Sequence, residues 1–151
     1  MKEELAAMAR ELGTALGDAT LVGIGVDLVD LAWAERLLEK YEKRLSRVFT
    51  EGELAYCRAK LSPAPHLAAR MAAKEAVLKA LGTGLASGMS WRDVEIVRGT
   101  SGRPGVVLHG KPRRVADEAG VARWELSLTH RGAYAAAIAA AVGQSTSSAD
   151  L

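Results

Sequence analysis

Residues 62–82 read SPAPHLAARMAAKEAVLKALG, and this stretch decides the fold. Ser62 suits a helix cap, Pro63 suits the first helical position, and Gly82 suits the stop, so a long helix is predicted from Ser62 to Leu81. Leu67, Met71, Val77, Leu78 and Leu81 form an apolar arc, and most other positions are alanine. A helix that is apolar almost all round is a buried helix. Four charges interrupt it: Arg70, Lys74, Glu75 and Lys79. Burying a charge without a partner is costly, so these four side chains ask for partners. Glu75 and Lys79 lie four apart and suit an ordinary surface ion pair. The crowding of charge favours a charged ligand, such as a metal–phosphate group.

On the N-terminal side, residues 20–28 (TLVGIGVDL) read as a short buried strand carrying Asp27 near its end. A helix is expected from Asp30, as its cap, to Arg47. Ala34, Leu37, Leu38, Tyr41 and Leu45 would share its inner face, with Arg36, Lys40, Lys43 and Arg47 opposite. Thr50-Glu51-Gly52-Glu53 is a capping box opening a helix through Arg58. Residues 2–17 place Leu5, Met8, Leu12 and Leu16 at helical spacing, an appendage before the first strand.

On the C-terminal side, Val94 and Ile96 alternate with polar neighbours, and a Gly-rich loop leads to Val106–Leu108, which predicts a hairpin. Lys111 to Ala119 is expected to be a helix stopped by Gly120, and residues 123–129 alternate with Trp124, Leu126 and Leu128 on one face. Residues 133–142 (AYAAAIAAAV) pull two ways. Alanine favours helix, whereas the tight His130-Arg131-Gly132 connection favours an antiparallel partner strand; the strand is the reading adopted. The division expected is an N-terminal helical extension over 1–19, one domain over 20–143, and a flexible tail over 144–151.

The whole chain of 151 residues is 49% hydrophobic and 25% charged, an ordinary globular balance. A net charge of +2 gives no broad nucleic-acid face. The single cysteine, Cys57, supports neither an internal disulfide nor a thiolate metal cluster, which points to a reducing cytoplasm. Glu3 and Glu4 do not fit an export signal, and no apolar run reaches the roughly 20 residues a bilayer requires, so no membrane partner is expected.

Two carboxylates stand out as candidate ligands. Asp27 sits beside Gly23 and Gly25 with nothing nearby in sequence to neutralise it, and paired with Glu75 it would hold a hard cation. Magnesium takes oxygen ligands, typically one or two carboxylates plus substrate phosphate and water. His130 ends the run Ser127-Leu128-Thr129, where a lone histidine is ordinarily a turn residue. Gly82-Thr83-Gly84 would let backbone N–H groups approach phosphate, although the same glycines serve to end the helix.

Taken together, Gly23–Leu28, Arg70–Gly82 and Ser127–His130 resemble, in that order, three signatures of the holo-[acyl-carrier-protein] synthase family of 4′-phosphopantetheinyl transferases. The resemblance covers about residues 21–142. It implies an α+β fold, with a long helix on an antiparallel sheet, and a homotrimer with active sites at subunit interfaces. It also implies magnesium-dependent transfer of 4′-phosphopantetheine from coenzyme A to a serine of an apo acyl carrier protein, with release of 3′,5′-ADP. By position, Asp27 and Glu75 match the magnesium ligands, and Lys79 a lysine on coenzyme A phosphate. Arg70, Gly82, Thr83, Gly84 and His130 match the lining of the coenzyme A site. Glu75, Lys79 and His130 are the expected catalytic residues, with Glu75, a metal-bound water and His130 all open as the base. Because acyl carrier proteins are acidic, Arg36, Lys40, Lys43 and Arg47 read as a docking stripe for one.

Two positions depart from the family pattern: Trp33 where an arginine facing the carrier protein is usual, and Met71 where an aromatic residue is usual. Two other readings compete. Gly23-x-Gly25 after a strand suggests a dinucleotide-binding oxidoreductase, but the third glycine and the acidic ribose ligand are absent. A catalytically inactive, carrier-binding trimer of the same fold is the other, and the joint presence of Asp27, Glu75, Lys79 and His130 argues against it.

Overall fold

Eleven alternating residues on each side of Gly132 build the hairpin on which everything else is laid. The computed structural model describes residues 3, 4, 7 and 19–144. In it, β4 (Val121–Arg131) turns through Gly132, whose φ of 60° favours glycine, into β5 (Tyr134–Gln144). The alanine-rich segment is therefore a strand, as the tight connection requires. β5 is central, flanked antiparallel by β4 and by β1 (Ala19–Asp30). A separate two-stranded hairpin is formed by β2 (Val94–Arg98) and β3 (Pro104–Leu108).

Between β1 and β2 come α1 (Leu31–Lys40), α2 (Glu42–Val48), α3 (Glu51–Arg58) and α4 (Pro63–Leu81); α5 (Gly110–Glu118) joins β3 to β4. This is an α+β fold with a long helix on an antiparallel sheet. α4 lies across β1 and β5 and is buried on nearly every side. One group of buried side chains, including Leu45, Phe49, Leu67 and Met71, packs around its first half. Val77, Leu78, Val94 and Ile96 pack around its second half. Each such aliphatic side chain contributes about 1.5–3 kcal/mol by leaving water.

Small residues set how closely α4 approaches the sheet. A methyl group at Gly25 would overlap the Ala76 carbonyl, and one at Gly23 would overlap the Ala80 carbonyl. Gly23, Gly25 and Asp27 alternate along β1 opposite Ala141, Ala139 and Ala137 of β5. The two glycines thus bring the helix backbone onto the strand just where Asp27 emerges. They serve packing rather than a nucleotide-binding turn.

Three expectations are corrected. The helix read from Asp30 to Arg47 is two helices, broken at Tyr41 (φ −133°, ψ 36°), which is exposed rather than packed inward. Asp30 and Ser62 occupy cap positions, yet neither side chain makes a cap hydrogen bond. At Asp30 the strand simply runs into α1, and the Leu31 N–H donates to the Ala133 carbonyl at 2.9 Å. The Thr50–Glu53 capping box is present with both bonds. Glu3, Glu4 and Ala7 are helical and exposed. The rest of the expected helix over 2–17, and the tail over 145–151, lie outside the described residues. Among the described residues, no helix is long and apolar enough to cross a membrane.

Candidate active site

The close approach of α4 to β1 brings Asp27, Glu75 and Lys79 together. Lys79 Nζ donates to Asp27 Oδ1 at 2.7 Å and to the Val26 carbonyl at 3.2 Å. It thus pairs across to the strand rather than with Glu75 one turn back. Asp27 Oδ2 is buried and meets no donor. Burial first, and then the neighbouring Asp27, push the Glu75 carboxyl up to about 7. Burial also disfavours ionised Asp27, but the neighbouring Glu75 carboxyl and the Lys79 ammonium outweigh it and hold Asp27 below the usual carboxylate range. The raised value leaves Glu75 partly protonated near neutral pH beside an ionised Asp27. That donor set fits a hard divalent cation. Two adjacent carboxylates, one with an unpartnered buried oxygen, would supply two ligands and leave further positions for phosphate and water.

At the end of α4, Gly82 adopts φ 76° as a left-handed cap. The Gly82 N–H donates to the Lys79 carbonyl at 3.0 Å, and those of Thr83 and Gly84 to the Leu78 carbonyl at 3.1 and 3.4 Å. The amides expected to cradle phosphate are therefore committed to closing the helix. Gly82, Thr83 and Gly84 border the acidic cluster by position and offer no free amide nest.

Arg70 and His130 meet in a second place. They line a cavity of about 300 Å³ with Tyr56, His66, Ala69, Arg98, Ser127, Leu128 and Thr129 among others, and none of its lining residues is acidic. Arg70 is only 5% exposed, and its Nε has no hydrogen-bond partner. The Tyr56 ring gathers three cations: Arg70 Cζ at 4.0 Å, Lys60 Nζ at 4.6 Å and Arg98 Cζ at 5.3 Å from its centroid. Arg98 Nη1 also donates to the Tyr56 hydroxyl at 2.6 Å. Among the described residues no ion pair engages Arg70, Lys60 or Arg98. Cation–π contact of ~0.5–1 kcal/mol each does not replace a counter-charge. So much uncompensated positive charge around one cavity suits an anion.

Sequence reasoning missed Tyr56, Lys60, His66 and Arg98. Each is an ordinary residue on its own element, and only the tertiary fold collects them. Lys74, noticed but unassigned, is a structural charge: it is fully buried on Glu53 Oε1 at 2.8 Å and the Val94 and Trp91 carbonyls at 2.6 and 3.0 Å. Met71 is buried in the core and does not line the cavity, so its departure from the family pattern falls outside the pocket. Trp33 is half-buried, its ring 6.4 Å from that of Phe49. Arg36, Lys40, Lys43 and Arg47 are all exposed, but the break at Tyr41 divides them between two helices.

Paired acids with a lysine on a helix–sheet seam, and a separate cationic cavity, mark an α+β protein with two charged sites that suit anionic ligands. The sequence matches the 4′-phosphopantetheinyl transferase superfamily over residues 23–139, and the chain belongs to that family. It is 50% identical over 115 residues to the holo-[acyl-carrier-protein] synthase of Moorella thermoacetica, covering 76% of this chain and 89% of that one. It is 46% identical over 119 residues to the Geobacter sulfurreducens enzyme of the same name, covering 78% and 94%. Its fold is similar to a Bacillus anthracis holo-(acyl-carrier-protein) synthase in complex with CoA (3′,5′-ADP). That match has a TM-score of 0.65 at 29% identity and covers 83% of this chain and 98% of that one.

Proposed function

We propose that this chain transfers 4′-phosphopantetheine from coenzyme A to a serine of an apo acyl carrier protein, releasing 3′,5′-ADP. The observation that carries the reading is the meeting of Asp27, Glu75 and Lys79 in a member of this family. Asp27 and Glu75 would hold Mg²⁺, which when bound supplies positive charge against the pyrophosphate oxygens. Lys79, whose side chain is half exposed, can leave Asp27 for a phosphate oxygen once the carboxylate is otherwise engaged. The serine oxygen attacks the phosphorus that bears the pantetheine. The bond from that phosphorus to the bridging oxygen of 3′,5′-ADP breaks, and the serine proton passes to a base. Glu75 and His130 are the side chains that could take that proton. Most of the catalysis is then positioning and charge stabilisation.

Arg70 and His130, with Arg98 and Tyr56 and with Lys60 on the Tyr56 ring, make the cationic cavity a receptor for the nucleotide phosphates of coenzyme A. None of Asp27, Glu75 and Lys79 lines that cavity. A site shared between subunits of a homotrimer would unite the two halves, one from each chain. The uncovered sheet face supports such an assembly: Ile24, Val26 and Leu28 of β1 and Ile138 of β5 are exposed, with Val26 directly opposite Ile138. Arg36, Lys40, Lys43 and Arg47 would meet the acidic carrier protein as two short basic faces, in a cytoplasmic setting.

Incubating the protein with coenzyme A, Mg²⁺ and an apo carrier protein, followed by mass spectrometry, tests the reading. The carrier should gain the mass of one phosphopantetheine. An unchanged carrier that remains bound to the protein would favour the inactive-scaffold alternative.

A further inference from the structure

His66 has no place in the functional reading so far, yet it faces the cationic cavity. Its ring stands edge-on to His130 with centroids 5.6 Å apart, and to Tyr56 at 6.0 Å. The charged and titratable groups around it are all cations or neutral rings. Tyr56 comes from α3, Lys60 from the segment after it, Arg70 from α4 itself, Arg98 from β2, and His130 from β4. No carboxylate lines the cavity. A neutral imidazole is the form that fits such surroundings while the cavity holds no anion.

We propose that His66, paired edge-on with His130, binds a proton when a phosphate monoester dianion enters this cavity, so that coenzyme A binding consumes a proton. The inference rests on the coenzyme A reading of the site and adds a proton linkage to it. A monoester dianion fits better than a single diester charge, because Arg70 and Arg98 line the cavity, Lys60 adds a third cation on the same Tyr56 ring, and no acid lines it. Burial, then His130, Lys60, Arg70 and Arg98, hold the His66 imidazole below its ordinary range. A dianion offsets most of that positive field and gives the ring an acceptor, and the imidazolium then becomes a charge-assisted donor. By linkage, affinity falls as pH rises through the range where bound His66 loses its proton. Each unit by which the ligand raises its pKa is worth a factor of ~10 in affinity on the acid side.

Titration calorimetry with coenzyme A at about pH 7.5, in two buffers of different ionisation enthalpy, reads the proton directly. The wild-type protein should take up a proton fraction with coenzyme A and lose it with dephospho-coenzyme A, which lacks the monoester. His66→Gln should bind coenzyme A several-fold more weakly near neutrality, lose most of the uptake, and approach wild-type affinity at alkaline pH. Binding heat that does not depend on buffer overturns the inference and leaves the coenzyme A reading standing. Uptake retained in His66→Gln, or retained with dephospho-coenzyme A, also overturns it. No binding of coenzyme A by the wild type overturns the coenzyme A reading itself. Imidazole ¹⁵N shifts of the wild-type complex give the same answer without a substitution: His66 should be imidazolium, and a neutral His66 in the complex contradicts the proposal.

Discussion

Two lysines five residues apart on α4 have opposite fates. Lys74 is fully buried, with three acceptors saturating its ammonium: Glu53 and the Trp91 and Val94 carbonyls. Glu53 is equally committed, accepting from the Thr50 and Ile96 N–H groups as well. This network ties α3, α4 and the start of β2 into one unit. Lys79 keeps half of its side chain in solvent and holds Asp27, whose other oxygen has no donor. One lysine has a closed set of partners, and the other has partners that a ligand can replace. Charge in an apolar helix marks a site only when its neutralisation is incomplete. The same distinction separates Lys74 from Arg70, which is also buried but has an orphaned Nε.

Substitution of Lys74 by Met gives the largest effect. It strands Glu53 as a buried unpaired carboxylate, which costs about 3–5 kcal/mol. The melting temperature should fall by roughly 10 °C in a chain of this size. An unchanged melt would show that the Glu53 network does not hold the fold. Lys79→Met should do the reverse, melting close to the wild type while the single-turnover transfer rate drops by about 10²–10³. Equal loss of stability in the two variants would erase the contrast.

Gly25→Ala sharpens the comparison from the strand side. The added methyl meets the Ala76 carbonyl, so α4 must lift from β1, separating Asp27 from Glu75 and Lys79. Overpacking of this kind costs about 1–3 kcal/mol, and transfer should fall further than the stability loss explains. A variant with reduced stability and full activity would show that the seam does not set the site.

The smallest effect is a pH dependence. The Glu75 pKa is raised in the folded state to about 7, so the folded chain binds a proton that the unfolded chain has already released. The associated stability is present below the ordinary glutamate value and disappears as pH rises through about 7. Asp27 is shifted the other way, and its contribution is lost only when pH falls through its lowered value. Without divalent cations, the melting temperature should therefore decline from about pH 5 to about pH 8, and Glu75→Gln should flatten the decline. A wild-type profile that stays level across this range would mean that burial and Asp27 do not raise the Glu75 carboxyl in the folded chain.

Local rules made much of the fold legible. The capping box at Thr50, the Pro63 and Gly82 ends of α4, and the tight turn at Gly132 each depend on neighbours within a few residues. The break at Tyr41 was hidden because helical periodicity continues across it without glycine or proline. The acidic pair was visible as unsatisfied charge, Asp27 on a strand and Glu75 on a buried helix. The reason they meet was legible only in part. Gly23 and Gly25 face Ala76 and Ala80, small residues four apart, and that spacing acquires meaning only once strand and helix are known to touch. The cationic cavity was mostly hidden. Arg70 and His130 stood out in the sequence, but Tyr56, Lys60, His66 and Arg98 lie on other elements and connections, and none of those four is unusual where it stands in sequence.

Glu75→Gln is the most direct trial of the account, because it removes one carboxylate charge while keeping the shape of the side chain. The variant should melt as a folded protein and still bind coenzyme A, yet add no phosphopantetheine to the apo carrier protein at any Mg²⁺ concentration. Transfer at the wild-type rate would contradict the assignment of Asp27 and Glu75 as the pair that grips the cation.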